Sequence, residues 1–254
     1  MWRQGEILPF SRESLELLFS NSIPAVNIEC FATPEQCRRL VDAIRSTSLE
    51  YYEQVTPPIG RVGVTQFECR SAEKSRYFAE VNSAKAQYER MVKRGIDPVR
   101  RMCEELGRIG FLHAQVAKEP DFGAYFAGLV REINHSALLH ADVAELDARG
   151  WHVGSINDQL TWNLYIEAPI AGGECIVYDR QWRSSDESAR IPGSYGYRMD
   201  LVSGADKFSI TPIVGNVVLF NCKNFHQVLP AESPRLSIGS FIGRTKFDEL
   251  LLWS

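Results

Sequence analysis

The chain lacks the features that mark several classes of protein. No apolar run in its 254 residues approaches the roughly 20 residues of a membrane span. Residues 1–10 lack the basic and apolar segments of a signal peptide. A net charge of −4 provides no basic field for nucleic acid. These absences predict a cytoplasmic protein with no membrane or nucleic acid partner, and they leave a homodimer open.

Cysteine pairs at metal-binding or redox spacing are also lacking. The six cysteines are scattered along the chain, and no two of them form a CxxC motif. Scattered thiols without a targeting segment are typical of a reducing compartment and predict no disulfide framework. Such a compartment also suits a ferrous ion.

Internal repeats, low-complexity tracts and linkers are absent, so we expect a single domain over residues 1–254. The first part, 1–123, contains the helical patterns. Thr33, Pro34 and Gln36 predict a capped helix start, since they supply an N-cap, a first-position proline and a capping box. From Ser71 to about Lys118 the composition predicts two helices, broken at Gly95–Pro98.

Short β-type runs replace the helical patterns from Ala124 onward. They are 124–133, 138–142, 158–167, 173–179, 194–202, 206–211, 215–221 and 235–243. About eight short strands after a helical front predict a β-rich α+β fold, a jelly roll buttressed by N-terminal helices. We expect its core over 124–243 and a C-terminal tail over 244–254. The polar segment 180–193 is interpreted as a loop over the barrel mouth or, equally, as a mobile insertion.

A histidine and an aspartate stand two residues apart at the end of one predicted strand. On a strand, His140 and Asp142 would share a face about 7 Å apart and could converge on one ion. The spacing alone also fits a surface histidine beside a solvated aspartate. A second histidine, His226, follows the buried run Val217 to Phe220. Two histidines and one carboxylate form the triad that holds Fe(II) in non-haem oxygenases.

An arginine and a serine follow the second histidine on the returning strand. Arg235 and Ser237 share a face with Gly239 and Phe241, while the intervening residues are apolar or small. A buried guanidinium needs an anionic partner, and a co-substrate carboxylate is one. The alternative is an edge strand with Arg235 outside. The combined pattern indicates an Fe(II)/2-oxoglutarate oxygenase.

These motifs, over roughly residues 124–243, resemble the double-stranded β-helix (cupin-like) Fe(II)/2-oxoglutarate oxygenases, especially the prolyl-hydroxylase-like branch. The resemblance rests on Gly172 to Glu174, Gly215 to Phe220 before the distal histidine, and Arg235-x-Ser237. It implies that His140, Asp142 and His226 hold iron. It also implies that Arg235 and Ser237 bind the C5 carboxylate of 2-oxoglutarate.

A narrower resemblance concerns the small bacterial enzymes that hydroxylate or halogenate free amino acids. It rests on Leu160 to Tyr165 and Tyr178 to Trp182. The halogenating members replace the triad carboxylate with a small residue, which leaves a site for chloride. This chain keeps Asp142 and therefore resembles the hydroxylating members.

Candidate substrate contacts are aromatic, charged or amide side chains on the strand before the helical region, near the metal motif, or in the narrower motif. They are Arg61, Gln66, Glu68, Trp151, His152, Trp162, Tyr178, Arg180 and Trp182. Trp162 and Tyr178 fit core packing better than ligand contact. Arg61 and Arg180 fit surface charge and a substrate carboxylate clamp equally well.

The sequence thus predicts an Fe(II)- and 2-oxoglutarate-dependent dioxygenase. We expect it to use O2 and hydroxylate a small polar molecule, an amino acid or a close derivative. Desaturation or ring closure on the same scaffold stays open. A peptidyl or protein (prolyl-type) hydroxylase is one rival, which would need an open groove. A non-catalytic binding module is another, and it should have lost a metal ligand or the arginine.

Overall fold

The computed structural model describes residues 2–3, 5–53, 55–69, 74–93, 95–156 and 158–254. Its α-helices lie mainly in the first half of the chain. They are α1 (Arg12–Phe19), α2 (Pro34–Arg45), α3 (Lys74–Val92), α4 (Pro98–Arg108) and α5 (Ala144–Asp147). Short 3-10 helices cover Gln66–Cys69, His152–Ser155, Ser184–Ala189 and Met199–Val202.

The helix starts follow from local chemistry. Thr33 accepts a hydrogen bond from the backbone N–H of Gln36, and the Gln36 side chain accepts one from the backbone N–H of Thr33. This confirms the predicted capping box at α2. Asp97 caps α4 by accepting hydrogen bonds from the backbone N–H groups of Val99 and Arg100, with Pro98 at the first position. The predicted second helix ends at Arg108, not near Lys118, because the chain turns there into strand.

The strands are numbered in chain order. They are β1 (Leu8–Pro9), β2 (Val26–Ile28), β3 (Glu50–Tyr51), β4 (Gly60–Val62), β5 (Ala114–Val116), β6 (Lys118–Glu119), β7 (Gly123–Ala124), β8 (Leu129–Glu132), β9 (Ala137–His140), β10 (Asp158–Glu167), β11 (Cys175–Gln181), β12 (Lys207–Ile210), β13 (Val217–Phe220), β14 (Asn224–Val228), β15 (Leu236–Arg244) and β16 (Leu250–Trp253).

Two sheets carry the architecture. The larger one has the order β1-β2-β13-β10-β15-β8-β4-β3, with β16 pairing with β15 and β5. The smaller one has the order β12-β11-β14-β9. Strands of both sheets contribute to one apolar cluster, which includes Tyr165 and Phe220 of the larger sheet and Val177 and Val228 of the smaller. The fold is therefore sheet-rich with mixed α and β content.

Helices α1 and α2 cover the outer face of the larger sheet. Both contact β10, and their apolar residues join a cluster with Leu160, Trp162 and Leu164 of that strand. This face is opposite to the one that carries Thr161, Asn163 and Tyr165, because successive strand residues point to opposite sides. The helices therefore leave the inner face free to form a site.

Two predicted elements differ from the structure. Residues 244–254 are not a tail, since β16 pairs with β15 and β5 and its four residues are buried. Its Leu-Leu-Leu-Trp sequence buries enough apolar surface to complete the sheet. Residues 194–202 do not form a strand, but a turn followed by the 3-10 helix Met199–Val202. Among the helices of the described ranges, none has the length and apolar character of a bilayer crossing.

Candidate active site

A cavity of about 130 Å³ lies between the two sheets. Residues of both sheets and of α5 line it, together with the segments that contain Tyr52 and Tyr195. Its wall is mostly apolar, with a small number of charged and amide side chains, which is the usual composition of a small-molecule site.

Three predicted ligands meet in this cavity. Strands β9 and β14 are antiparallel neighbours, and their register sets His140 directly opposite His226. The two ring centroids are 4.1 Å apart. Asp142 lies just beyond the end of β9, held by a bond from its backbone N–H to the carbonyl of Cys222, 2.9 Å. The ligand atoms of all three side chains lie within 4.8 Å of one another, close enough to hold one metal ion.

Each histidine ring is oriented by the backbone. Nδ1 of His140 lies 2.7 Å from the carbonyl of Leu138, and Nδ1 of His226 lies 2.8 Å from that of Asn224. With Nδ1–H donating to these carbonyls, Nε2 of each ring carries the lone pair that a metal needs. Nε2 of His226 is 3.5 Å from a carboxylate oxygen of Asp142. The donor set therefore fits a divalent ion.

The protonation states also suit metal binding. Burial, reinforced by the neighbouring His226, lowers the pKa of His140 to about 4, so its ring is neutral at pH 7. Burial opposes ionisation of Asp142, but contact with the His226 ring and the proximity of His140 and Arg131 bring its pKa down to about 2. His140 and Asp142 are thus ready to bind a metal without first losing a proton.

Arg235 lies inside, not on an outer edge. Its side chain is 3% exposed and precedes β15 directly. Its Nε donates to the carbonyl of Gly173 at 2.9 Å, and the guanidinium lies 5.1 Å above the Tyr165 ring. Its Nη1 is buried and has no hydrogen-bond partner among the described residues. An unpaired buried guanidinium nitrogen is costly, so this atom fits an anionic ligand such as a carboxylate.

Gly173 makes room for this arginine. Its φ is +74°, a conformation that favours glycine, and a Cβ there would lie 3.0 Å from Cδ of Arg235 and 2.9 Å from Cγ of Pro169. The approach of Arg235 therefore explains the second glycine of the Gly-Gly pair, whereas a Cβ at Gly172 would lie 2.1 Å from the carbonyl oxygen of Pro230. Ser237, two residues further along, is 2% exposed and also lines the cavity.

The structure places the predicted charged substrate contacts away from the triad. Arg61 is ion-paired with Glu50 and Glu68, both at 2.9 Å, and is not part of the cavity wall. Glu68 lines only an outer opening, which lies between Tyr52 and Tyr195. Arg180 is bound to Asp186 at 2.7 Å and lies over the Phe225 ring. These are corrections, since nearby carboxylates already neutralise the arginines.

The aromatic candidates are likewise structural. Trp151 packs with Tyr77 and Tyr125, and Trp162 is fully buried on the helix-covered face of β10. Tyr178 and Trp182 belong to a separate apolar cluster. His152 is exposed. Of the candidates outside the metal and arginine motifs, Gln66 alone reaches the cavity, and its amide donates to the carbonyl of Asp147 at 3.0 Å.

The segment 180–193 is ordered by polar contacts rather than mobile. Its centre is the 3-10 helix Ser184–Ala189. Glu187 accepts hydrogen bonds from Trp182, Arg190 and Tyr197, which hold the segment together. Just beyond it, the hydroxyl of Tyr195 accepts a bond from the backbone N–H of Leu138 at 2.7 Å, and its ring packs edge-on against His140. Tyr195 therefore covers the cavity beside the triad, whereas residues 190–193 line the outer opening.

Sequence reasoning missed Tyr52, Arg131 and Tyr195, all of which line the cavity. Arg131 lies in the middle of β8, beside the acidic Glu132. A charged pair in a short strand indicates a solvent-facing edge, so nothing local marked Arg131 as interior. Only its pairing with β15, more than a hundred residues away in sequence, brings it to the site.

Comparisons with known proteins agree with this geometry. The family described as "Carrier-protein-independent halogenase WelO5" has a sequence model that matches residues 8–254. Leucinostatins biosynthesis cluster protein S of Purpureocillium lilacinum is 42% identical over 221 residues, 81% of this chain and 90% of the relative. L-gamma-glutamyl-L-propargylglycine hydroxylase of Streptantibioticus cattleyicolor is 25% identical over 265 residues, 98% of this chain and 95% of the relative.

A solved structure shares the fold. An N-substituted L-amino acid dioxygenase from Burkholderia ambifaria AMMD, in complex with alpha-KG, is similar with a TM-score of 0.67. The sequence identity is 16%, and the match covers 95% of this chain and 90% of the other. At this identity the likeness shows the fold alone.

Proposed function

We propose a hydroxylating function for this chain, which belongs to the carrier-protein-independent halogenase WelO5 family. It is an Fe(II)- and 2-oxoglutarate-dependent oxygenase. The observation that carries hydroxylation is Asp142, which lies with His140 and His226 where one metal ion fits. In the halogenating enzymes that the motifs resemble, a small residue replaces this carboxylate and leaves space for chloride. Here a carboxylate occupies that place.

The side chains present fit both cofactors. His140, Asp142 and His226 would hold Fe(II), because two imidazoles and a carboxylate are its usual ligands in such oxygenases. Arg235 and Ser237 would bind the C5 carboxylate of 2-oxoglutarate, supported by the unpaired Nη1 of Arg235. When bound, Fe(II) with 2-oxoglutarate and O2 supplies an oxidant for an unactivated C–H bond and releases succinate and CO2.

The chain's own residues position and protect this chemistry. The carbonyls of Leu138 and Asn224 fix the two imidazole rings. Tyr195 packs against His140 and limits access of bulk water to the ring. Arg235 is held by the Gly173 carbonyl and the Tyr165 ring, so a carboxylate would meet a guanidinium that is already oriented.

We also propose that the two sheets form a double-stranded β-helix, or jelly roll. The order of the strands supports it: β8, β10, β13 and β15 belong to the larger sheet, and β9, β11, β12 and β14 to the smaller. The chain therefore alternates between the sheets and returns to each.

A reducing, cytoplasmic location is supported by the six cysteines, all of which are free thiols. A homodimer stays a prediction.

An amino acid or amino acid derivative is the proposed substrate class. The relative from Streptantibioticus cattleyicolor is named for hydroxylation of an amino acid joined to a gamma-glutamyl group, and it spans nearly this whole chain. The cavity of about 130 Å³ between the two sheets supports a small molecule over the rival peptidyl or protein hydroxylase, which needs an open groove. Retention of the triad and of Arg235 argues against a non-catalytic binding module.

Substrate-stimulated succinate formation tests this function. The protein would be incubated with Fe(II), 2-oxoglutarate and O2, together with a panel of L-amino acids and their N-acyl and gamma-glutamyl derivatives. We expect one chemical group of the panel to raise succinate formation well above the uncoupled background. A His226→Ala variant serves as the inactive control. Equal background rates across the whole panel would contradict the proposed substrate class.

A further inference from the structure

A second arginine lies in the cavity besides Arg235. Arg131 is in the middle of β8, where the register sets it opposite Ser237 of β15 on one side and Arg61 of β4 on the other. Residues that face each other in a sheet point to the same side. Arg131 accordingly lines the cavity with Ser237, His140 and Asp142.

The two neighbouring arginines are neutralised very differently. Like charges directly opposite each other destabilise a sheet. At Arg61 this repulsion is offset by ion pairs with two carboxylates, Glu50 and Glu68, each at 2.9 Å. Arg131 has no carboxylate oxygen within 4.0 Å among the residues that the structure describes, and its side-chain hydrogen bond runs from Nε to the hydroxyl of Tyr52 at 3.4 Å. The fold thus supplies directly paired acids for the outer arginine, whereas the inner one has only the nearby charge of Asp142 and, within the described ranges, no ion pair.

The acids that do line the cavity have other roles. Asp142 is part of the metal triad, so binding of a metal takes up its charge. Asp147 accepts a hydrogen bond from the backbone N–H of Val143 at 3.2 Å. With Fe(II), 2-oxoglutarate as a dianion, Asp142 and Arg235 in place, those four charges cancel. In the described part of the chain, Arg131 then remains at the metal side of the cavity as a cation without a directly paired acid, and Asp147 is the remaining carboxylate of the wall.

We propose that Arg131 binds an anionic group of the substrate, namely the carboxylate of an amino acid derivative. The inference rests on the proposed function and names the residue that orients the substrate. A guanidinium presents a planar pair of donors that matches a carboxylate. Substrate binding would therefore give Arg131 a directly paired carboxylate and fix which C–H bond faces the metal.

Access to Arg131 is open from the surface. An outer opening is lined by Tyr52, Val55, Phe67 and Tyr195, and these four residues also line the inner cavity. Tyr52, the hydrogen-bond partner of Arg131, therefore stands where the opening meets the cavity. A carboxylate held by Arg131 would leave the rest of the ligand beside this passage, with room for an N-acyl group.

Equilibrium binding tests the inference without turnover. The probes are N-acetyl-L-leucine and N-acetyl-L-valine, each compared with its uncharged primary amide, on protein loaded with Zn(II) and 2-oxoglutarate. We expect the unmutated protein to prefer the acids and Arg131→Ala to lose roughly 100-fold or more in acid affinity, as for truncation of a buried charge pair. Arg131→Lys should keep part of the preference. Affinity for 2-oxoglutarate should stay within about threefold in both variants.

Arg235→Ala is the matched control, since it removes the other arginine of the same cavity. It should weaken 2-oxoglutarate binding, while the Arg131 variants should not. If the unmutated protein binds acids and amides equally, the inference is wrong. It is also wrong if Arg131→Ala weakens 2-oxoglutarate in place of the acids, because Arg131 would then serve the co-substrate.

Thermal unfolding separates substrate binding from a structural role. Arg131→Met removes a cation that faces Arg61 without an acid of its own, so the variant loaded with Zn(II) should melt at the same temperature as the unmutated protein or higher. A melting temperature lowered by several degrees would overturn the inference. Turnover separates the inference from the proposed function. If amides are oxidised as well as acids, the inference is wrong and the proposed function stands. If acids bind through Arg131 but are never oxidised, the inference stands and the proposed function is wrong.

Discussion

Arg235 offers the sharpest test of the co-substrate site. Its side chain is 3% exposed, its Nε is occupied by the Gly173 carbonyl, and its Nη1 is unpaired. Arg235→Ala would remove the partner of a desolvated carboxylate. Breaking such a pair costs about 3–5 kcal/mol, and each 1.4 kcal/mol is about tenfold. We therefore expect the dissociation constant of 2-oxoglutarate to rise roughly 100- to 4,000-fold, while metal affinity changes little.

Titration calorimetry measures both affinities, with Mn(II) or Zn(II) in place of the oxidisable Fe(II). Arg244→Ala is a matched control, because Arg244 ends the same strand but binds Glu16 and Asp158 outside the cavity. It should leave the affinity for 2-oxoglutarate unchanged. An unaltered affinity in Arg235→Ala would refute the reasoning, since the buried guanidinium would then have another purpose.

Three further outcomes follow from the same geometry. Asp142→Gly should abolish most hydroxylation and permit at best weak halide incorporation, since a halide also needs neighbours that orient it; mass spectrometry of the product decides. Gly173→Ala should weaken 2-oxoglutarate binding at least tenfold in calorimetry, because its Cβ would press on Cδ of Arg235 at a φ of +74°. A wild-type affinity would show that Arg235 can shift without loss. The metal-free protein should lose stability as the pH falls from 6.5 to about 4, since the unfolded chain binds a proton at His140 and the native state does not. The free energy of unfolding falls by up to about 3 kcal/mol over this range. In denaturant unfolding, the free energy of the His140→Gln variant should change less with pH than that of the unmutated protein.

The sequence was informative where a motif is local. The capped start of α2, the break before α4 and most strands after residue 128 were predictable, because each depends on neighbours within a few positions. The metal residues were predictable for a similar reason: His140 and Asp142 stand two residues apart, and His226 follows a buried run. Strand β14, which carries His226, was not predicted, since its polar Asn224 and Gln227 obscure a buried strand.

The substrate side of the cavity was not predictable, because it is built by pairing between distant strands. Arg61 and Arg131 look alike in sequence, and each stands in a short strand of the same sheet. Only the ion pairs of the folded chain show that Arg61 is neutralised and Arg131 is not. Trp151 and Trp162 were similarly ambiguous, since a tryptophan in a pocket and one in a core have the same local pattern.

The central claim is that the chain oxygenates its substrate with a metal bound by His140, Asp142 and His226. The most direct measurement is the mass of the product formed under isotopically labelled O2 in a buffer that contains chloride. We expect one labelled oxygen atom in the product, with one succinate formed for each product molecule. Chlorine in the product of the unmutated enzyme would contradict the account, because Asp142 could not then be a metal ligand.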